Sequence, residues 1–185
     1  MQKDKLTIKA KSEGYNARSV YKLFEINKRY NLIKKNDLVL DLGCWPGSWL
    51  QACLEIDAKP VGVDLRETKI NGAETLVADV NEDEIFLLLK NKKFDVVLSD
   101  LAPHTSGHRE QDQYLSYELS CRAFDIAKKV LKSNGNFLVK IFQSEEAGEL
   151  LKELRKSFNF VKSVKPDASK KRSKEIYFLC LGYRG

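Results

Sequence analysis

Only two histidines occur in the 185 residues, and the four cysteines, Cys44, Cys53, Cys121 and Cys180, are scattered with no Cys-x-x-Cys pair. That spacing excludes a zinc finger or ribbon and points to ordinary reduced thiols. No run of 18 apolar residues occurs, so no helix is expected to span a membrane. The opening MQKDKLTIKAKSEG is basic but lacks the apolar centre of a secretory signal, and the expectation is a cytoplasmic protein. Two nucleotide fingerprints are missing as well. Gly43 and Gly47 do not make Gly-x-Gly-x-x-Gly, and Gly-x-x-x-x-Gly-Lys-[Ser/Thr] is absent. Dinucleotide dehydrogenases and P-loop ATPases therefore have no support.

What is present suits one compact domain, long enough to bury a core without disulfides or metal. The net charge of +6 is unevenly placed. Residues 1–35 hold ten Lys and Arg against three acids, and residues 159–185 hold seven against two, which leaves the middle of the chain net acidic. Two basic ends brought together beside an acidic body would attract phosphate backbones.

Apolar patterning predicts a polar N-terminal arm, then a helix over 17–33 with Val20, Leu23, Phe24 and Ile26 on one side. LVLDLG (38–43) reads as a strand, WPGSWLQACLEI as a turn entering a helix, and PVGVDL (60–65) and LVADV (76–80) as further strands. A short helix over 82–91, a strand over 94–100, a loop over 101–112 and a long helix over 114–131 follow. SNG then marks a stop before the strand NFLVKIF (136–142). A helix over 145–158 and strands FVKSVKP and EIYFLCLGY close the chain, with DASKKRSK between them. Strands alternating with helices predict an α/β fold, a mostly parallel, doubly wound sheet with helices on both faces.

Ligands of such sheets lie outside the carboxyl ends of the strands. LDLGCWPGSW places a glycine turn there, Asp64 ends the next strand 21 residues after Gly43, and Asp79 and Asp100 end the following two. Asp64 is placed to accept from ribose hydroxyls and Asp79 to border an adenine. Acids in these ligand-facing turns suit a nucleoside that bears a sulfonium and an amino acid, and disfavour a pyrophosphate.

SVYKLFEI, LDLGCWPGSWLQ, SDLAPHTSG, GNFLVKIFQ and KPDASKKRSKEIYFLCLG, in this order, resemble the FtsJ/RrmJ family of S-adenosylmethionine-dependent ribose 2′-O-methyltransferases of large-subunit ribosomal RNA. The resemblance runs from about Ala17 to Gly182. It implies a Rossmann-like methyltransferase fold with a seven-stranded sheet, a basic arm over 1–16, a single methyltransferase domain over 17–185, and a monomer. S-adenosylmethionine is the implied cofactor, with contacts at Gly43, Pro46, Gly47, Ser48, Trp49, Asp64, Asp79 and Asp100, and no metal. The family's common Ala-Pro-Gly-Gly-Trp is Trp45-Pro46-Gly47-Ser48-Trp49 here, and His104 stands where asparagine is usual. These departures bear on cofactor affinity more than on reaction class.

The family's catalytic Lys-Asp-Lys-Glu group matches Lys22, Asp100, Lys140 and Glu175. Independently, a lysine inside the apolar run FLVKIF is costly unless it is paired or used. An ordinary lysine, with a pKa of about 10.4, is protonated at neutral pH, so a lysine base needs surroundings that favour the neutral amine. The expected roles are Lys140 as base, Asp100 orienting it and the methyl donor, and Lys22 with Glu175 orienting the ribose.

Candidate RNA contacts are Lys9, Lys11, Arg18, Lys28 and Arg29 near the start, and Lys170, Lys171, Arg172 and Lys174 in the last loop. Only RNA offers the 2′-hydroxyl. The resemblance implies a uridine in the peptidyl-transferase-centre loop of 23S ribosomal RNA, within the 50S subunit. A transfer-RNA 2′-O-methyltransferase and a non-catalytic ribosome-assembly factor are the alternatives.

Overall fold

The computed structural model describes residues 5–103, 106–170 and 173–185. LVLDL forms β1 (Leu38–Leu42), an inner strand of the sheet. Before it come α1 (Lys5–Ser12) and α2 (Val20–Tyr30); after it come α3 (Ser48–Glu55), β2 (Lys59–Asp64), β3 (Glu74–Val77) and α4 (Glu84–Leu88). The second half holds β4 (Phe94–Ser99), α5 (Arg109–Val130), β5 (Leu131–Phe142), α6 (Glu145–Ser157), β6 (Phe158–Val164) and β7 (Glu175–Tyr183).

The described strands make one sheet in the order β3-β2-β1-β4-β5-β7-β6. β7 runs antiparallel to β5 and β6, and the pairs β1–β2, β1–β4, β2–β3 and β4–β5 are parallel. The chain winds outward from β1 to β3 and returns to the other side of β1 as β4. That reversal opens a crevice at the carboxyl ends of β1 and β4, where open α/β sheets bind ligands.

Side-chain alternation along the strands builds two cores. Leu40, Leu42, Val97, Val139 and Phe178 pack against α5 and α6, while Val39, Leu98, Leu138, Tyr177 and Leu179 pack under α2 and α3. With both faces covered, the inner strands read as nearly continuous apolar runs rather than as alternating ones.

Several boundaries differ from the pattern reading. The segment read as an arm forms α1, with Ala10 buried. Residues 13–16 continue the docking: Tyr15 donates to Glu55 at 2.6 Å, Gln51 Nε2 donates to the Gly14 carbonyl, and the Asn16 side chain donates to the Pro46 carbonyl. A lysine-rich composition hid one apolar anchor and a set of polar ones. α2 starts at Val20 because the Ser19 hydroxyl pairs with Ser48 Oγ at 2.9 Å and does not cap the helix. β3 ends at Val77, so Asp79 lies in the turn beyond it. α5 starts at Arg109, one turn earlier than its apolar periodicity shows, after Ser106 bonds to Asp112. At SNG the β4–β5 register slips between Phe94 and Val96, and Asn134 takes a φ of 62°.

Candidate active site

β1 ends in a turn that only glycine fits at two points. Gly43 has φ 78°, and a Cβ there would lie 2.7 Å from Leu101 Cδ2; Gly47 has φ 101°, and a Cβ would lie 2.5 Å from Ile70 Cδ1. The turn is tied to β2: the Gly43 and Cys44 N–H groups donate to the Val63 carbonyl, and Trp45 N–H donates to Asp64 Oδ2 at 3.0 Å. Arg66 N–H donates to the other Asp64 oxygen at 2.9 Å, so the carboxylate is held at the strand end with lone pairs to spare. Asp79 is fixed in the same way by Asn81.

These turns border a cavity of about 480 Å³ lined by Gly43, Trp45, Asp64, Asp79 and Asp100, with Leu65, Val80, Leu101 and Leu119 supplying apolar wall. Carboxylates and apolar side chains lining one cavity suit a ribose joined to a planar base. Trp45, which is 50% exposed, lines this cavity, and the Arg66 guanidinium lies 4.5 Å from its ring centre.

Beside the cavity, β4, β5, β7 and α2 bring together the four residues matched to the family's catalytic group. Lys140 pairs across the sheet with Tyr177, and its ammonium donates to the Asp100 carbonyl at 2.6 Å and lies 3.1 Å from Asp100 Oδ1. Lys22, near the start of α2, bonds Glu175 at the start of β7. Tyr177 links the two pairs. Its hydroxyl donates to Asp100 Oδ1 at 2.8 Å and accepts from Lys22 Nζ at 3.4 Å. Burial, then the charges of Asp100 and Glu175, push the Tyr177 phenol well above its ordinary range, so it stays a donor. Sequence reading passed over Tyr177 as one more apolar-strand aromatic.

Asp41 was also passed over. It lies on the face of β1 shared with Val39, beneath α3, and neither carboxylate oxygen has a hydrogen-bond partner among the described residues. Burial, reinforced by Asp100 and Asp64, holds its carboxyl well above the usual carboxylate range. The unfolded chain ionises this group near pH 3.8 while the folded chain keeps its proton to higher pH. Above that value the folded state therefore binds more protons, and stability falls as pH rises until the folded pKa is passed. Asp41→Asn removes that loss. Melting temperatures of the two proteins should agree near pH 3.8, with the variant melting progressively higher than the wild type as pH rises toward neutral. A gap that does not grow with pH would show that ionised Asp41 carries no such cost.

The other expected contacts are spread more widely. Pro46, Gly47, Ser48 and Trp49 do not line the cavity. Trp49 is buried, donates its indole N–H to the Ser19 carbonyl at 2.9 Å and packs 6.0 Å from Tyr177, so it supports the lysine–carboxylate cluster from below. The two basic ends do meet: Glu25 of α2 accepts from the N–H groups of Asp167 and Ala168, and Arg18 donates to the Ala168 carbonyl. Arg18 is thereby half-buried in a structural contact. Lys9 lies near Glu13 and over the Tyr21 ring, and Arg29 lies 3.4 Å from Glu25. Lys11, Lys28 and Lys170 are exposed, and Lys174 borders a surface hollow beside Phe142. Lys171, Arg172 and His104 lie outside the described residues.

Comparison with known proteins agrees with this geometry. Residues 15–183 match the family model of the FtsJ-like methyltransferases. The ribosomal RNA large subunit methyltransferase E of Archaeoglobus fulgidus is 41% identical over 179 residues, covering 95% of this chain and 94% of that protein. Its namesake in Methanococcoides burtonii is 42% identical over 177 residues and 92% of this chain, which spans 66% of that longer protein. A crystal structure of a Plasmodium falciparum protein described as a ribosomal RNA methyltransferase superposes with a TM-score of 0.82 at 28% identity, covering 92% of this chain and all of that one. The Rossmann-like sheet with its one reversed strand, the glycine turn and the family match over nearly the whole length lead to one conclusion: the chain belongs to the FtsJ-like methyltransferase family.

Proposed function

We propose that the protein transfers a methyl group from S-adenosylmethionine to a ribose 2′-hydroxyl of large-subunit ribosomal RNA, at a uridine of the peptidyl-transferase-centre loop. The observation that carries this reading is the continuous polar chain Glu175–Lys22–Tyr177–Asp100–Lys140, set against an acid-lined cavity. The names of the relatives favour ribosomal over transfer RNA.

The residues present fit the donor. Asp64 offers acceptors to ribose hydroxyls, Asp79 borders the base, and Asp100 suits a sulfonium and an ammonium group. A pyrophosphate would meet repulsion from the same set. When bound, the donor supplies an electrophilic methyl group carried on sulfur.

The chain's own residues do the rest. Lys140 is the acceptor for the 2′-hydroxyl proton as the oxygen bonds to the methyl carbon and that carbon's bond to sulfur breaks. Asp100 holds Lys140 through both its carboxylate and its carbonyl, and Tyr177 fixes Asp100 by donating to it. Lys22, paired with Glu175, orients the ribose from the α2 side. Holding two reactants in line is worth about 7–11 kcal/mol at best, so this rigid frame contributes as much as proton removal does.

The test is transfer of tritiated methyl from S-adenosylmethionine to 50S subunits, naked ribosomal RNA and transfer RNA from a strain lacking the enzyme, with the labelled nucleotide mapped. Label on a ribose of 23S RNA is expected. Label confined to transfer RNA, or on a base, overturns the substrate; no label on any RNA overturns the enzyme and favours an assembly factor.

A further inference from the structure

The cation-bearing surface does not stop at the last loop. Between the end of α2 and β6 lies an open hollow of about 470 Å³ bordered by Arg29, Tyr30, Lys162, Ser163 and Lys165. Three cations border it, the Lys165 ammonium also donating to the Ser173 carbonyl at 2.8 Å. The acid beside it, Glu25, is already engaged: one oxygen accepts from Asp167 and Ala168, and the other faces Arg29. The hollow is therefore a net positive concavity.

Aromatic surface accompanies the charge. The Lys162 ammonium lies 5.4 Å from the centre of the Tyr30 ring. Two residues earlier on the same face of β6, Phe160 is 45% exposed. β6 ends the sheet, with β7 as its only strand neighbour among the described residues. Edge strands often carry lysine to block pairing with other chains, and cations near a helix C-terminus favour its dipole. Neither purpose calls for an exposed phenylalanine beside the lysine, which works against a protected edge. A positive groove with interleaved aromatic rings is the pattern that binds single-stranded nucleic acid through phosphates and base stacking.

The position agrees. Lys22 and Arg29 are two helical turns apart on one face of α2, an axial rise of about 10 Å, so the hollow lies along the same helix as the lysine that orients the ribose. From these observations we propose that the α2–β6 surface is a second RNA-docking site: Arg29, Lys162 and Lys165 take a backbone phosphate, and Phe160 and Tyr30 stack with an unpaired base, a few nucleotides from the ribose that is methylated. This inference rests on the reading of the protein as an RNA methyltransferase.

Two variants separate charge from stacking. Binding of fluorescein-labelled oligouridine is followed by anisotropy across a salt series, with donor affinity and melting temperature as folding controls. Lys162→Glu should weaken binding about tenfold and lower the slope of log K against log salt by about 0.7, the loss of one phosphate contact on a single strand. Phe160→Ala should weaken binding at least about fivefold with the slope unchanged, because stacking neutralises no phosphate. Wild-type affinity and slope in both variants overturns the proposal. Loss of 50S binding with oligouridine binding intact also overturns it, and gives the surface to a ribosomal protein. Methyl transfer to 50S subunits by the wild-type protein is measured in parallel: its absence overturns the enzymatic reading, whereas the binding series alone decides this surface.

Discussion

Lys140→Ala should lower single-turnover methyl transfer by about 10²–10⁴ while leaving donor affinity near the wild-type value. The lysine is 7% exposed at the end of that polar chain, and its ammonium meets Asp100 while Lys140 itself does not line the cavity. Its removal leaves the cavity-lining acids in place, and Asp100 keeps its bond from Tyr177. Lys140→Arg tells base from strut. Arginine keeps the charge and can reach the same carboxylate, but it does not lose its proton in proteins. If Lys140 removes the 2′-proton, the arginine variant is as inactive as the alanine variant. Restored transfer in the arginine variant would leave Lys140 as a positioning residue, with the frame of Asp100 and Tyr177 carrying the rate. Measuring both variants on 50S subunits over about pH 6–10 decides between them.

The strands and their order of appearance were legible because both sheet faces are covered, so each inner strand is a nearly unbroken apolar run, as in FDVVLS and NFLVKIF. The cavity turns were legible for a related reason: a glycine or an aspartate directly after such a run has few structural uses. Element ends were less visible. α5 gains its first turn from Ser106 and Asp112, a polar contact that apolar spacing does not record. α1 is held by one buried alanine, and Gly14 and Tyr15 just after it bond to α3; a lysine-rich segment gives no sign of either.

Within the site, the four charged residues were found by resemblance, whereas the residues that join them were not. Tyr177 sits in IYFLCL, where an aromatic is ordinary, and its role exists only because β7 runs antiparallel beside Lys140. Asp41 had a usable signal. Alternation in LVLDL puts it on the same face as Val39, so a carboxylate was bound to lie under a helix. Strand reading that asks which face each polar residue occupies would have singled it out. Ser48 and Trp49 of the glycine-turn motif also carry packing contacts that the motif does not announce, to Ser19 before α2 and to Tyr177 of β7.

Asp100→Asn should be the most damaging single change, because it strikes binding, chemistry and stability together. The Asp100 side chain is 21% exposed and meets Lys140 at 3.1 Å, and its Oδ1 also accepts from Tyr177. An amide of the same shape keeps one acceptor but loses the charge. Breaking one partner of a well-buried ion pair leaves the other without compensation, at a cost of about 3–5 kcal/mol when both are buried. Here the carbonyl of residue 100 still accepts from Lys140 and solvent reaches one side, so a smaller loss is expected, about 1–3 kcal/mol. Relief of repulsion on Asp41 offsets part of that loss. Donor binding should weaken as well, since one of the carboxylates that line the cavity is gone. Transfer should fall by at least the factor seen for Lys140→Ala, because the lysine loses the carboxylate that orients it. The double variant Asp100→Asn with Lys140→Ala settles whether the two act as one unit: rates no lower than those of Asp100→Asn alone mean that Asp100 works through Lys140, and a further multiplicative fall means that they contribute separately. Calorimetric titration with S-adenosylmethionine and single-turnover transfer on the same preparations supply both readings. An Asp100→Asn protein with wild-type donor affinity and wild-type transfer would remove the carboxylate from the mechanism altogether.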